Sequence, residues 1–178
     1  TQASEISAAA GVFAIRALLH RATSRDFTDH EELAYWLFTS GSTGQPKCIS
    51  TDHAPLLNAL KWQADSFGLG AQDRVSFLSG VSHDPALRDL FLPLLHGGRV
   101  CTPDPARLFA PGYLHRWIRE QAVTVAHLTP AMIRLIETGA RQGEACDTLK
   151  AVFVGGDRIG RDLVASLHGL APFARRAQ

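Results

Sequence analysis

The sequence predicts an α/β protein with a largely parallel sheet flanked by helices. Two observations carry this. Short apolar runs rich in β-branched and aromatic residues alternate with longer helical patterns. At 178 residues with 46% hydrophobic content, the chain is also long and apolar enough to bury a substantial core as one globular unit.

Taken in order, a helix is expected over about 4–20, where an apolar stretch at 8–19 is too short to span a bilayer and carries Arg16. Residues 34–38 form a short apolar, aromatic run and read as a core strand. A helix at 53–67 follows, its start marked by Asp52 and His53 before Ala54 and Pro55, its stop by Gly68 and Gly70. A strand at 74–79 leads into a helix at 84–95, where Asp84 sits at the N-cap position and Pro85 at the first helical position. A strand at 99–102 and a loop at 103–111 precede a helix at 111–121 and a strand at 123–127. Thr129 and Pro130 open a helix at 130–141. A strand at 150–154 and a helix at 160–169 complete the alternation, with no internal repeat and no domain boundary.

A net charge of +1 gives no electrostatic case for nucleic acid, and no stretch reads as a membrane segment or targeting signal. Cys48, Cys101 and Cys146 are odd in number and widely spaced, which disfavours a disulfide framework or a zinc site and fits a reducing cytoplasm. Met132 is the only methionine, so the chain reads as a piece of something longer. No Gly-x-Ser-x-Gly elbow occurs, which disfavours a serine hydrolase.

After the apolar run, the sequence breaks into Thr39-Ser40-Gly41-Ser42-Thr43-Gly44-Gln45-Pro46-Lys47. Glycines let backbone N–H groups converge on an anion, hydroxyls add hydrogen bonds to phosphate oxygens, and Lys47 supplies a point charge. No Gly-Lys-Ser/Thr follows, so this is not the Walker loop. Instead, residues 39–47 match the phosphate-binding signature of the adenylate-forming superfamily, which includes acyl-CoA synthetases, luciferases and the adenylation domains of nonribosomal peptide synthetases. Cys48 stands where that signature usually has glycine, a position where a left-handed backbone would be strained.

The second informative segment is Gly80-Val81-Ser82-His83-Asp84-Pro85, which precedes Arg88 by one helical turn. In amino-acid-activating adenylation domains this place carries an aromatic residue or His followed by an Asp that holds the substrate ammonium. The resemblance therefore implies that Asp84 binds the amine and His83 stands beside the substrate carboxylate. It likewise implies that Arg88, His127, Phe153 and Gly155 line the side-chain pocket, where Arg88 and His127 favour a polar or acidic substrate. Read without the resemblance, Asp84 is a helix cap, Arg88 a solvated helix residue, His127 a satisfied strand-end histidine and Phe153 plain core.

The resemblance covers about residues 32–170 and implies part of the large N-terminal subdomain of such a domain. The remainder of that subdomain, and the small subdomain with its catalytic lysine, are not matched by this sequence. It implies ATP and Mg²⁺ as cofactors, an amino acid activated as aminoacyl-AMP with pyrophosphate release, and a carrier protein whose phosphopantetheine thiol takes the product, beside neighbouring synthetase modules. Two alternatives stay open: an AMP-forming acyl- or aryl-CoA synthetase fragment, which needs no amine-binding Asp84, and a truncated scaffold that does not turn over. Unpaired sheet edges and uncovered apolar faces predict self-association.

Overall fold

The computed structural model describes residues 33–39, 47–81, 83–140 and 144–177. The expected helix at 4–20 lies outside them. Elements follow in the order β1 (Leu33–Thr39), β2 (Lys47–Asp52), α1 (His53–Phe67), β3 (Arg74–Ser76), α2 (Pro85–Leu95), β4 (Arg99–Cys101), α3 (Tyr113–Glu120), β5 (Val125–Leu128), α4 (Pro130–Glu137), β6 (Ala151–Val154), α5 (Arg161–Leu170) and β7 (Arg175–Ala177).

Five of these strands form an all-parallel sheet in the order β4-β3-β5-β6-β7. Alternate side chains of its central strands feed two separate cores, because a parallel sheet is covered on both faces by its crossover helices. On one face Val75, Val125, Ala151 and Phe153 pack with Leu60 and Ala64 of α1 and Leu92 of α2. On the other, Ala126, Leu128, Val152 and Val154 pack with Leu114, Trp117 and Ile118 of α3, Ile133 and Ile136 of α4, and Leu163 and Leu167 of α5.

The local signals act as expected at several element ends. Gly68 ends α1 in the left-handed conformation, φ 64°, which a residue without a Cβ adopts freely. Thr129 caps α4 by accepting a hydrogen bond from the Met132 amide at 3.3 Å, with Pro130 at the first helical position.

Other expectations need correction. The run at 34–38 is no core strand: β1 pairs antiparallel with β2 in a two-stranded ribbon outside the parallel sheet, and Phe38 is 52% exposed. Strand β2 itself escapes a sequence reading, since Lys47-Cys48-Ile49-Ser50-Thr51-Asp52 becomes a strand only through pairing with β1. There Cys48 is paired extended backbone opposite Phe38, and Ala122 is the one non-glycine residue with positive φ among the described residues. The cysteine in place of glycine is thus unstrained.

Asp84 precedes Pro85 as foreseen but makes no side-chain capping bond, and its own backbone is already helical. The strand expected at 74–79 ends at Ser76, since the chain leaves the ladder to form the loop beyond it. The strand expected at 123–127 starts at Val125 instead. The helices expected over 111–121 and 130–141 shorten to Tyr113–Glu120 and Pro130–Glu137.

Candidate active site

Chain order and sheet order together fix where a ligand fits. From β3 the chain crosses to β4 on one side, then returns to β5 on the other side of β3. The crossovers diverge between β3 and β5, and in open α/β sheets such a switch point leaves a crevice outside the carboxyl ends of the strands. A cavity of about 360 Å³ lies there. Its walls come from the segments just after the strands: Leu78, Ser79 and Gly80 beyond β3, His127, Leu128 and Thr129 at the end of β5, and Phe153 to Gly156 at the end of β6. Helices α1 and α2 add Trp62, Gln63, Pro85 and Arg88.

Five of the six expected substrate-site residues line this one cavity: His83, Arg88, His127, Phe153 and Gly155. They come from segments up to 72 positions apart, counting from 83 to 155. Asp84 is exposed and is not among the lining residues, although its neighbours His83 and Pro85 are. The loop that carries them is held by a turn in which the His83 amide donates to the Gly80 carbonyl at 2.9 Å. Half-exposed Arg88 has no ion-pair partner among the described residues, so its guanidinium is a cation available to the cavity.

The expected phosphate site is a separate matter. Residues 40–46, and the side chains of Thr39 and Lys47, lie outside what the structure describes. Its backbone does pair Thr39 with Lys47 across the β1–β2 ribbon, so both ends of the expected loop meet at one place.

Two residues that contact His127, Gln63 on the cavity wall and Asp89 behind it, are not legible as functional in the sequence. Asp89 is fully buried on α2, and its Oδ2 accepts hydrogen bonds from the Leu78 and Ser79 amides at 3.2 and 3.1 Å. Its Oδ1 lies 2.8 Å from Nδ1 of His127. The ring N–H is poorly aligned with that oxygen, so the contact counts as electrostatic attraction rather than a formed hydrogen bond. Gln63 of α1, also buried, places its Nε2 3.3 Å from Nε2 of His127. The imidazole stacks on Phe153 with centroids 4.8 Å apart and planes 22° apart. A signal existed for both residues. Asp89 shares the buried face of its helix with Ala86, Leu92 and Pro93, and Gln63 shares one with Leu60 and Ala64, so each is a polar side chain on an apolar stripe.

Buried Cys146 is no nucleophile, since burial pushes its thiol up to about 11. Among the described residues no three carboxylate, imidazole or thiol groups gather as metal ligands. The magnesium expected with ATP has no ligand group of that kind among the described residues.

The AMP-binding enzyme family model matches residues 3–176, nearly the whole chain. The chain belongs to the AMP-binding enzyme family. Its relatives within the family include an L-2-aminoadipate reductase of Schizosaccharomyces pombe, 41% identical over 120 residues, which are 67% of this chain and 8% of that protein. Phenyloxazoline synthase MbtB of Mycobacterium tuberculosis is 37% identical over 151 residues, 84% of this chain and 10% of that one. This AMP-binding chain thus spans about a tenth of the length of these curated relatives.

Among solved structures, the nonribosomal peptide synthetase FmoA3 superposes with a TM-score of 0.73 at 29% identity, covering 81% of this chain and 15% of that one. The Vibrio cholerae adenylation domain AlmE, in complex with glycyl-adenosine-5'-phosphate, gives 0.71 at 27% identity over 85% and 28% of the two chains. The parallel sheet flanked by helices is the fold shared with these adenylation domains.

Proposed function

We propose that this chain is part of the large subdomain of an adenylation domain that activates an amino acid with an acidic side chain as its aminoacyl-AMP. The observation that carries the reading is the gathering of His83, Arg88 and His127 around one switch-point cavity. Family membership and the adenylation-domain relatives support the reaction class. The acidic substrate is supported by Arg88, a cation at the cavity with no ion-pair partner among the described residues, and by relatives named for L-2-aminoadipate.

In this reading the substrate carboxylate attacks the α-phosphorus of ATP. The new bond is carboxyl oxygen to phosphorus, the α–β phosphoanhydride breaks, and pyrophosphate leaves. The loop at 39–47 holds the departing phosphates, a positioning and charge-neutralising role. An analogue-bound form of FmoA3, with AMPPNP, is among the similar structures and supports ATP as the nucleotide. Asp84, uncapped and exposed beside His83, takes the ammonium, while Arg88 takes the side-chain carboxylate in a charge-assisted contact. The aminoacyl group then passes to a carrier-protein phosphopantetheine thiol in a reducing cytoplasm.

Amino-acid-dependent ATP–pyrophosphate exchange by the full-length protein tests this. Aspartate, glutamate or 2-aminoadipate should drive exchange, Arg88→Ala should cut kcat/KM for them about 10- to 100-fold, and Asp84→Ala should raise KM for every amino acid. Exchange driven by fatty or aryl acids and indifferent to Asp84→Ala would replace the reading with an acyl- or aryl-CoA synthetase.

A further inference from the structure

We propose that Gln63 and Asp89 are positioning residues that hold His127 in its Nδ1–H form, with Nδ1 against the Asp89 carboxylate and Nε2 against the Gln63 amide, leaving Arg88 to read the substrate side chain. The inference rests on the reading of the cavity as the amino-acid site.

The donor and acceptor inventory decides the tautomer. Nδ1 of His127 lies 2.8 Å from a carboxylate oxygen of Asp89, so a lone pair there would face negative charge in a buried site, whereas a proton there is attracted. At the other nitrogen, Nε2 lies 3.3 Å from Nε2 of Gln63, a pairing in which the Nδ1–H form of the ring accepts from the amide. Asp89 thus selects the Nδ1–H form, and the Gln63 amide as placed complements it.

The consequence concerns selectivity. With Nδ1 turned to Asp89 and Nε2 to Gln63, the histidine offers the cavity an imidazole surface stacked on Phe153, and no free nitrogen that a substrate hydroxyl or amide could bond. A neutral polar side chain then gains little, while an acidic one gains the Arg88 contact. Asp89 also ties this histidine to the loop bearing His83 and Asp84, because its second oxygen holds the Leu78 and Ser79 amides. One carboxylate thereby sets the relation between the amine-binding segment and the side-chain wall.

The test uses the full-length protein labelled with ¹⁵N-histidine, with His127→Ala assigning the signal. The unsubstituted protein should show His127 as Nδ1–H, and Asp89→Asn, which offers an amide N–H toward Nδ1, should move it toward Nε2–H. Gln63→Met keeps the volume but frees Nε2. It should lower the glutamate-to-glutamine ratio of kcat/KM in pyrophosphate exchange about tenfold, the scale of one hydrogen bond, and change nothing further in the His127→Ala background. An Nε2–H form in the unsubstituted protein, or an equal effect of Gln63→Met with and without His127, overturns the proposal. If no amino acid drives exchange, the functional reading fails, while the tautomer spectra still judge the positioning of His127.

Discussion

Gly155 lines the cavity, yet a Cβ built on it would meet nothing within 4 Å. At this position the wall is open space, and in the proposed reading the size of residue 155 sets how long a bound side chain fits. Gly155→Val should reduce kcat/KM for 2-aminoadipate by about tenfold or more and for aspartate much less, which competition in pyrophosphate exchange would reveal. Stability should change by less than about 1 kcal/mol, because no neighbour has to move. Gly139 is the opposite case. A Cβ there would collide with the Gly112 backbone, where the start of α3 meets the end of α4. The two glycines look alike in the sequence and differ only in what the fold brings near them. Asp89 and Gln63 teach the same lesson from the other side: their place on apolar helix stripes was readable, but their common partner, His127, lies 38 and 64 residues away along the chain.

At the level of elements, the sheet is clasped at the end away from the cavity by one carboxylate. Oδ2 of Asp73 accepts the Gly70 amide at 2.7 Å, while Oδ1 accepts the Thr124 hydroxyl at 2.7 Å and pairs with Lys150 at 2.8 Å. These contacts join the starts of β3, β5 and β6 in a site where Asp73 is nearly fully buried. Asp73→Ala leaves those donors without their acceptor and should cost about 2–4 kcal/mol, read as a lowered urea midpoint, with the amino-acid KM unaltered. Strands β5 and β6 were legible because all four residues of each are buried, and Thr129–Pro130 with Gly68 fixed two helix ends. Strand β7 was not. Arg175-Arg176-Ala177 carries no strand signal of its own and is extended because its register partners Ala151, Val152 and Phe153 offer an open ladder. For the same reason β2 went unseen, since pairing rather than composition makes it a strand.

Across the molecule, among the described residues, the uncovered apolar surface lies on helices more than on the edges of the parallel sheet. The edge strands β4 and β7 are three residues long, and β7 carries Arg175 and Arg176, which discourage strand addition. Helix α2, by contrast, exposes Leu94 at 56% and Leu95 at 53%, and α1 exposes Trp62 at 56%. Light scattering of the 178-residue chain should therefore show mass rising with concentration, and Leu94→Glu with Leu95→Lys should suppress the rise. A monodisperse monomer at high concentration would overturn the expectation of self-association.

The switch-point cavity carries an evolutionary consequence as well. Gly80, Arg88 and Thr129 lie beyond the strand ends or on a helix, outside the ladder that joins β3, β5 and β6. Mutations there can drift or be selected without disturbing the sheet's backbone pairing. If the cavity is the substrate site proposed above, substrate preference can diversify among descendants of this chain while the scaffold stays constant, and the residues that resist such drift are the few, like Asp89, that tie a wall residue to the framework.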